Sequence, residues 1–159
     1  MSEGREETDL ERLDRNLIEL MGELRVALPG VQVLFAFLLV VPFNQRFGQT
    51  TSFEKGLYFA ALLCTLLASI LLIAPSVIHR LEFGHGDKGY VVRAGNRLTI
   101  AGLIVLAAAM TCAITLVTGF LFGTATAVAT AAVAVLAFSL IWFVLPLWRR
   151  RALGPAGRP

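Results

Sequence analysis

The sequence predicts an all-α membrane protein, with four transmembrane helices preceded by an amphipathic N-terminal cytoplasmic helix. Three observations predict it. The 159 residues are 57% hydrophobic and only 16% charged, against about half and about a quarter in an ordinary soluble domain. So short a chain cannot cover that much apolar surface with polar side chains in water. This excludes a typical soluble enzyme, a disordered regulator and a collagen-like fibre. Second, residues 98–148 contain no Asp, Glu, Lys, Arg or His, whereas about 20 helical residues suffice to cross a bilayer. Third, residues 8–28 place apolar side chains every three or four positions within a highly charged stretch, the period of an amphipathic helix.

That N-terminal helix comes first in chain order. Leu10, Leu13, Leu17, Leu20, Met21, Leu24 and Leu28 share one face. Thr8 and Glu11 have the spacing of a capping box, and Glu11 with Arg15 forms an (i, i+4) pair in the favourable order. Residues 1–28 carry eight acids and four arginines. They include no apolar stretch of the signal-peptide kind. Pro29-Gly30 is expected to be a joint at which the helix turns into the first span.

The spans are expected at 29–47, 56–78, 98–121 and 124–148. The first is the least apolar, with Gln32, Asn44 and Gln45 inside it and only 33–43 free of polar residues. Alone, a stretch of that length also fits a re-entrant or interfacial segment. The second is uncharged over 56–78, about 34 Å of helix, with Pro75 near its end. The last two divide the uncharged 98–148 stretch. Their turn is expected across Gly119 to Thr124, because glycine tolerates the positive φ of a tight turn.

Charge sets the expected orientation. With four spans, Arg5, Arg12, Arg15 and Arg25, then Arg80, Lys88, Arg93 and Arg97 of a middle loop, then Arg149, Arg150, Arg151 and Arg158 of a basic tail over 149–159, all fall on one side. Only Arg46 and Lys55 fall on the other. Basic residues stay inside, so both termini and the middle loop are expected in the cytoplasm of a multi-pass plasma (inner) membrane protein. A three-span arrangement would export the N-terminal arginines and fits less well. Trp142 and Trp148 flank the tail as interfacial aromatics do.

The acidic N-terminal helix suits an anionic leaflet poorly. Two readings stand. In one, the helix docks through Leu17 and its neighbours on the basic cytoplasmic faces of this chain or another copy, with Glu11, Glu19 and Glu23 opposite Arg93 and Arg97. In the other, the acidic face is simply solvated.

The run E-T-D-L-E-R-L-D-R-N-L-I-E-L-M-G-E-L-R-V, followed by G-V-Q-V-L-F-A-F-L-L and P-F-x-Q-R-F, resembles an uncharacterised family of small actinobacterial membrane proteins. The resemblance continues at Ala74, Pro75, His79 and Arg80, and at Asn96 to Leu98. It implies an N-terminal polar helix and about four spans. Some members carry a sodium:proton antiporter label. The family has no established catalytic or ion-binding residues to carry over.

The residues give that label little footing. Proton-coupled transport usually needs an ionisable side chain within the membrane, and the three strong spans have none. Gln32 is the one strongly polar side chain near the first span, and its amide is expected to bond across to another helix. Thr111, Thr115 and Thr118, with Thr99, Thr126, Thr130 and Ser139, are candidates for ion contact through hydroxyls. The simpler reading is packing or self-bonding, because Thr111, Thr115, Gly119 and Gly123 recur every fourth residue, and so do Ala60, Cys64 and Ala68. Cys64 and Cys112 lie in apolar stretches and are expected to be packing residues. His79, Glu82, His85 and Asp87 match no strong metal motif, and their glycine-rich surroundings predict a solvated turn. No phosphate loop or hydrolase nucleophile motif occurs, and no cofactor is expected.

The sequence therefore predicts a non-enzymatic membrane protein, self-associating or partner-binding through its cytoplasmic helix. Its expected partners are the lipid bilayer and a second copy or another protein, with no nucleic acid. The alternative is a small ion transporter or channel, whose ligands would be sodium ions or protons.

Overall fold

The computed structural model describes residues 8–82 and 88–152. All regular structure among them is helical. Helix α1 spans Asp9–Val40 and is followed by 3₁₀ turns at Val41–Phe43 and Gln45–Gln49. Helix α2 spans Ser52–Leu81, α3 Lys88–Phe122 and α4 Thr124–Phe138. A π-helical stretch, Ser139–Val144, joins α4 to α5, Leu145–Ala152. Four segments are long and apolar enough to cross a membrane: Asp9–Phe43, Ser52–Leu81, Lys88–Phe122 and Thr124–Arg149.

The first two helices start on the same device. The Glu11 N–H donates to Thr8 Oγ1 at 3.3 Å, and the Thr8 N–H donates back to Glu11 Oε2 at 2.9 Å. At α2, the Glu54 N–H donates to Thr51 Oγ1 at 3.2 Å, and the Thr51 N–H donates to Glu54 Oε2 at 2.7 Å. Each box satisfies N–H groups that a helix start leaves without partners.

Two expectations about element boundaries are corrected. Pro29-Gly30 is not a joint, because α1 continues through it without a break. Both residues are exposed, so the proline ring sits on the outer side of the helix. The inner stripe of Leu20, Leu24, Val31 and Leu38 stays buried across it. The expected division at residue 28 therefore falls inside one helix. The middle loop is also shorter than expected. Because α3 begins at Lys88, Arg93 and Arg97 are helical.

The described residues form two compact units. The first takes its residues from Met1–Gly48 and Leu62–Leu106. Its core is Leu20, Leu24 and Val31 of α1, Ala68 and Leu72 of α2, and Leu106 of α3. The buried face of α3 within this unit reads Val91, Gly95, Thr99, Gly102 and Leu106, at the three- and four-residue spacing of a helix seam. Its glycines have a steric reason. A Cβ at Gly95 would stand 2.8 Å from Leu20 Cδ2 and 3.4 Å from Pro75 Cβ. At Gly102 it would meet Leu72 Cγ at 2.8 Å and Leu71 Cβ at 3.2 Å. These two positions let α1 and α2 close on α3.

The second unit takes its residues from Gln49–Ala61 and Ala107–Pro159. Gly123 alone separates α3 from α4, with φ of 86°. Its N–H donates to the Gly119 carbonyl at 3.0 Å, and its own carbonyl accepts from the Ala127 N–H at 3.2 Å. One residue thus ends one helix and starts the next, which requires the left-handed freedom of glycine. A Cβ at Gly119 would stand 3.5 Å from that of Ala127, an ordinary contact. Further on, Pro146 has no N–H, and its ring would clash with the carbonyl four residues back, that of Trp142. The backbone widens before it, and the Leu145 N–H donates to the Leu140 carbonyl, five residues back.

The glycines predict opposite outcomes. Gly102→Ala should destabilise the fold by about 1–3 kcal/mol through overpacking on the branched carbon of Leu72. Gly30→Ala, with nothing near the new Cβ, should stabilise it by about 0.5–1 kcal/mol. Equilibrium unfolding in detergent reads both, and equal effects at the two sites would contradict the close approach.

Candidate functional site

The N-terminal half of α1 gathers most of the residues the sequence singled out. Leu24 is 2% exposed and Leu20 is 7% exposed, the latter seated in the notch at Gly95. Beside them the Ser76 hydroxyl donates to the Met21 sulfur at 3.6 Å. Leu17 is half-buried, one turn toward the N-terminus from this contact. The docked face is therefore centred on Leu20 and Leu24 rather than on Leu17.

The charged contacts differ from those expected. Asp14 receives the Lys88 ammonium at 2.7 and 2.9 Å, joining α1 to the first residue of α3. Glu19 lies 3.9 Å from Arg15 of its own helix. Glu23, Arg93 and Arg97 are exposed, and among the described residues no ion pair joins Glu11, Glu19 or Glu23 to either arginine. Glu11 belongs instead to the capping box. There the Thr8 backbone N–H, and after it the Thr8 hydroxyl, holds its carboxyl below the usual carboxylate range. The Thr51 N–H and hydroxyl do the same for Glu54.

Sequence reasoning passed over two of these features. The Lys88–Asp14 pair spans 74 positions and has no local signature. The second capping box, in contrast, has a plain one, since Thr51 and Glu54 repeat the Thr8–Glu11 spacing.

The hydroxyl candidates are not brought together. Thr111 donates to the Ala107 carbonyl at 2.8 Å and Thr115 to the Thr111 carbonyl at 2.6 Å. Thr118 donates to the Ile114 carbonyl at 2.8 Å. Thr130 and Ser69 likewise bond the carbonyl four residues back. Such bonds give each of these hydroxyls an acceptor within its own helix. Gln32 is exposed, one position past buried Val31. Among the described residues it makes no bond to another helix, which corrects the expected cross-helix amide contact. The buried seam of α2 is Ala61, Thr65, Ala68 and Leu72. Ala60 and Cys64 stand beside that seam, half-buried.

No group of three potential metal ligands occurs among the described residues. His85 and Asp87 lie outside the described residues.

Two predictions follow from the docked helix. Leu24→Ala should cost about 2–5 kcal/mol of stability, whereas Lys88→Ala should cost no more than about 1 kcal/mol, because that pair is half exposed. Chemical unfolding of the two variants separates them, and a larger cost for Lys88→Ala would contradict an apolar docking contact. The capping box predicts a pH dependence. Glu11 has a lowered folded pKa, so its support of the first turn is complete above its ordinary value of 4.5. It is lost as pH falls through the lowered value. Exchange of amides 9–12 followed by NMR, taken relative to the intrinsic rate at each pH, should lose protection over that interval in the parent and show no such step in Glu11→Gln. A parent that keeps its protection would contradict the box.

A family of unknown function (DUF6328) matches residues 6–146. No curated protein and no solved structure matches the chain.

Proposed function

The chain belongs to that family of unknown function, and from this premise we propose that it is a non-enzymatic, four-span protein of the plasma membrane that associates with a second copy of itself. Both termini lie in the cytoplasm in this reading, which the distribution of Lys and Arg supports. The observation that carries the reading is the division of labour on α1. The centre of its apolar stripe is packed inside the chain, with Leu20 and Leu24 buried, while Glu19 and Glu23 of the same helix are exposed. On α3, Arg93 and Arg97 are exposed too. Among the described residues no ion pair joins Glu19 or Glu23 to Arg93 or Arg97, and these acidic and basic faces complement each other across two copies. Confinement to a membrane raises the effective concentration, so contacts that are individually weak suffice to populate the pair.

The alternative, a small ion transporter or channel of the sodium:proton antiporter kind, has less support. Its candidate residues Thr111, Thr115 and Thr118 each donate to a carbonyl of their own helix, and none of them is ionisable.

Single-molecule photobleaching of the labelled chain in liposomes tests the first reading. The parent should bleach mainly in two steps. Combined Glu19→Lys and Glu23→Lys should lower the paired fraction about two- to fivefold, as a pair of exposed contacts would, and adding Arg93→Glu and Arg97→Glu should restore it. A monomeric parent overturns the proposal. Sodium-dependent proton flux above that of protein-free vesicles would favour the alternative.

A further inference from the structure

Among the described residues, one buried side-chain oxygen has no hydrogen-bond partner, and it is Thr99 Oγ1. Thr99 is 6% exposed and lies in the middle of the buried face of α3, between Gly95 and Gly102. Unlike Thr111 or Thr115, it does not turn its hydroxyl back onto its own helix. Burying a hydroxyl without a partner is costly, so its persistence calls for a partner.

The facing turn of α2 supplies a group with the same need. Pro75 is inside α2 and fully buried. It has no N–H, so the carbonyl of Leu71, four residues back, loses its helical donor. Contacts fix the level of this turn against α3. Gly95 faces Pro75, and Gly102 faces Leu71 and Leu72. Thr99, between the two glycines on one face, is therefore level with the 71–75 turn. The Thr99 hydroxyl, which has no hydrogen-bond partner, and the Leu71 carbonyl, which Pro75 deprives of its helical donor, thus fall at the same level of the seam.

We propose that the Thr99 hydroxyl and the Leu71 carbonyl hold one water molecule between them, pinning α3 to α2 at its proline break. Water supplies a donor for the carbonyl and completes the hydroxyl, and two polar partners meet the usual need of a buried water. Freed carbonyls in apolar surroundings are commonly satisfied in this way.

A double-mutant cycle in detergent tests the site. Thr99→Val keeps the shape and removes the hydroxyl. It should shift the unfolding equilibrium about three- to twentyfold toward the unfolded state, the range of cross-helix polar contacts. Thr99→Ser should stay within about twofold of the parent, since the hydroxyl remains and little else is lost. In a Pro75→Ala background the restored N–H takes the Leu71 carbonyl, and Thr99→Val should then have little effect. NMR should show cross-peaks between long-lived water and Thr99 in the parent, and none at the same position in Thr99→Val. A neutral or stabilising Thr99→Val overturns the proposal, and so does an equal cost in both backgrounds. Coupling without the water cross-peaks overturns it as well, by showing a direct bond.

Discussion

The first unit depends on how closely α3 approaches its neighbours. Helices whose surroundings are as apolar as their own side chains gain little by hiding leucines from solvent. They associate through contact, hydrogen bonds and small residues that admit a neighbour. Gly95 and Gly102 provide that admission, one receiving Leu20 and the other Leu72. Leu20, Leu24 and Val31 of α1 and Ala68 and Leu72 of α2 share one core with Leu106 of α3. The position of the acidic N-terminal turns follows. With Leu20 seated at Gly95, Asp14 reaches Lys88, and the face carrying Glu19 and Glu23 is turned outward.

Backbone satisfaction is the second constraint, and Pro29, Pro75 and Pro146, the α-helical prolines among the described residues, meet it differently. Pro29 is exposed on α1, and the buried stripe on the other side holds the helix in register past it. Pro146 is accommodated by a π-helical widening just before it. Pro75 is buried on a packed seam, where the proposed water, shared with Thr99, answers the freed carbonyl. Each proline removes one N–H from its helix, and the surroundings decide how that loss is met.

Much of this was legible in the sequence. The uncharged run of 98–148 announced two long helices, and Gly123 fell within the expected turn because only glycine adopts its φ of 86° without strain. The Thr8 cap and the apolar face from Leu17 to Leu24 followed from spacing alone. What failed depended on tertiary contact. A proline and a glycine together read locally as a break, yet packing on the far side of α1 overrides them. Leu17 and Leu24 share one stripe, and nothing in the sequence says which of them meets the glycine notch. Arg93 and Arg97 looked like the partners for the acids, whereas Lys88 is the residue that the docked helix brings within reach of Asp14.

The central claim is that α1 is one helix whose polar and apolar halves form a single packed element. Amide hydrogen exchange of the chain in nanodiscs, resolved across residues 20–38, tests it most directly. The account predicts continuous protection on both sides of Pro29, with Leu24 and Val31 opening together as one cooperative unit. Fast exchange at Leu20 to Leu24, independent of a protected segment that begins after Gly30, would contradict it.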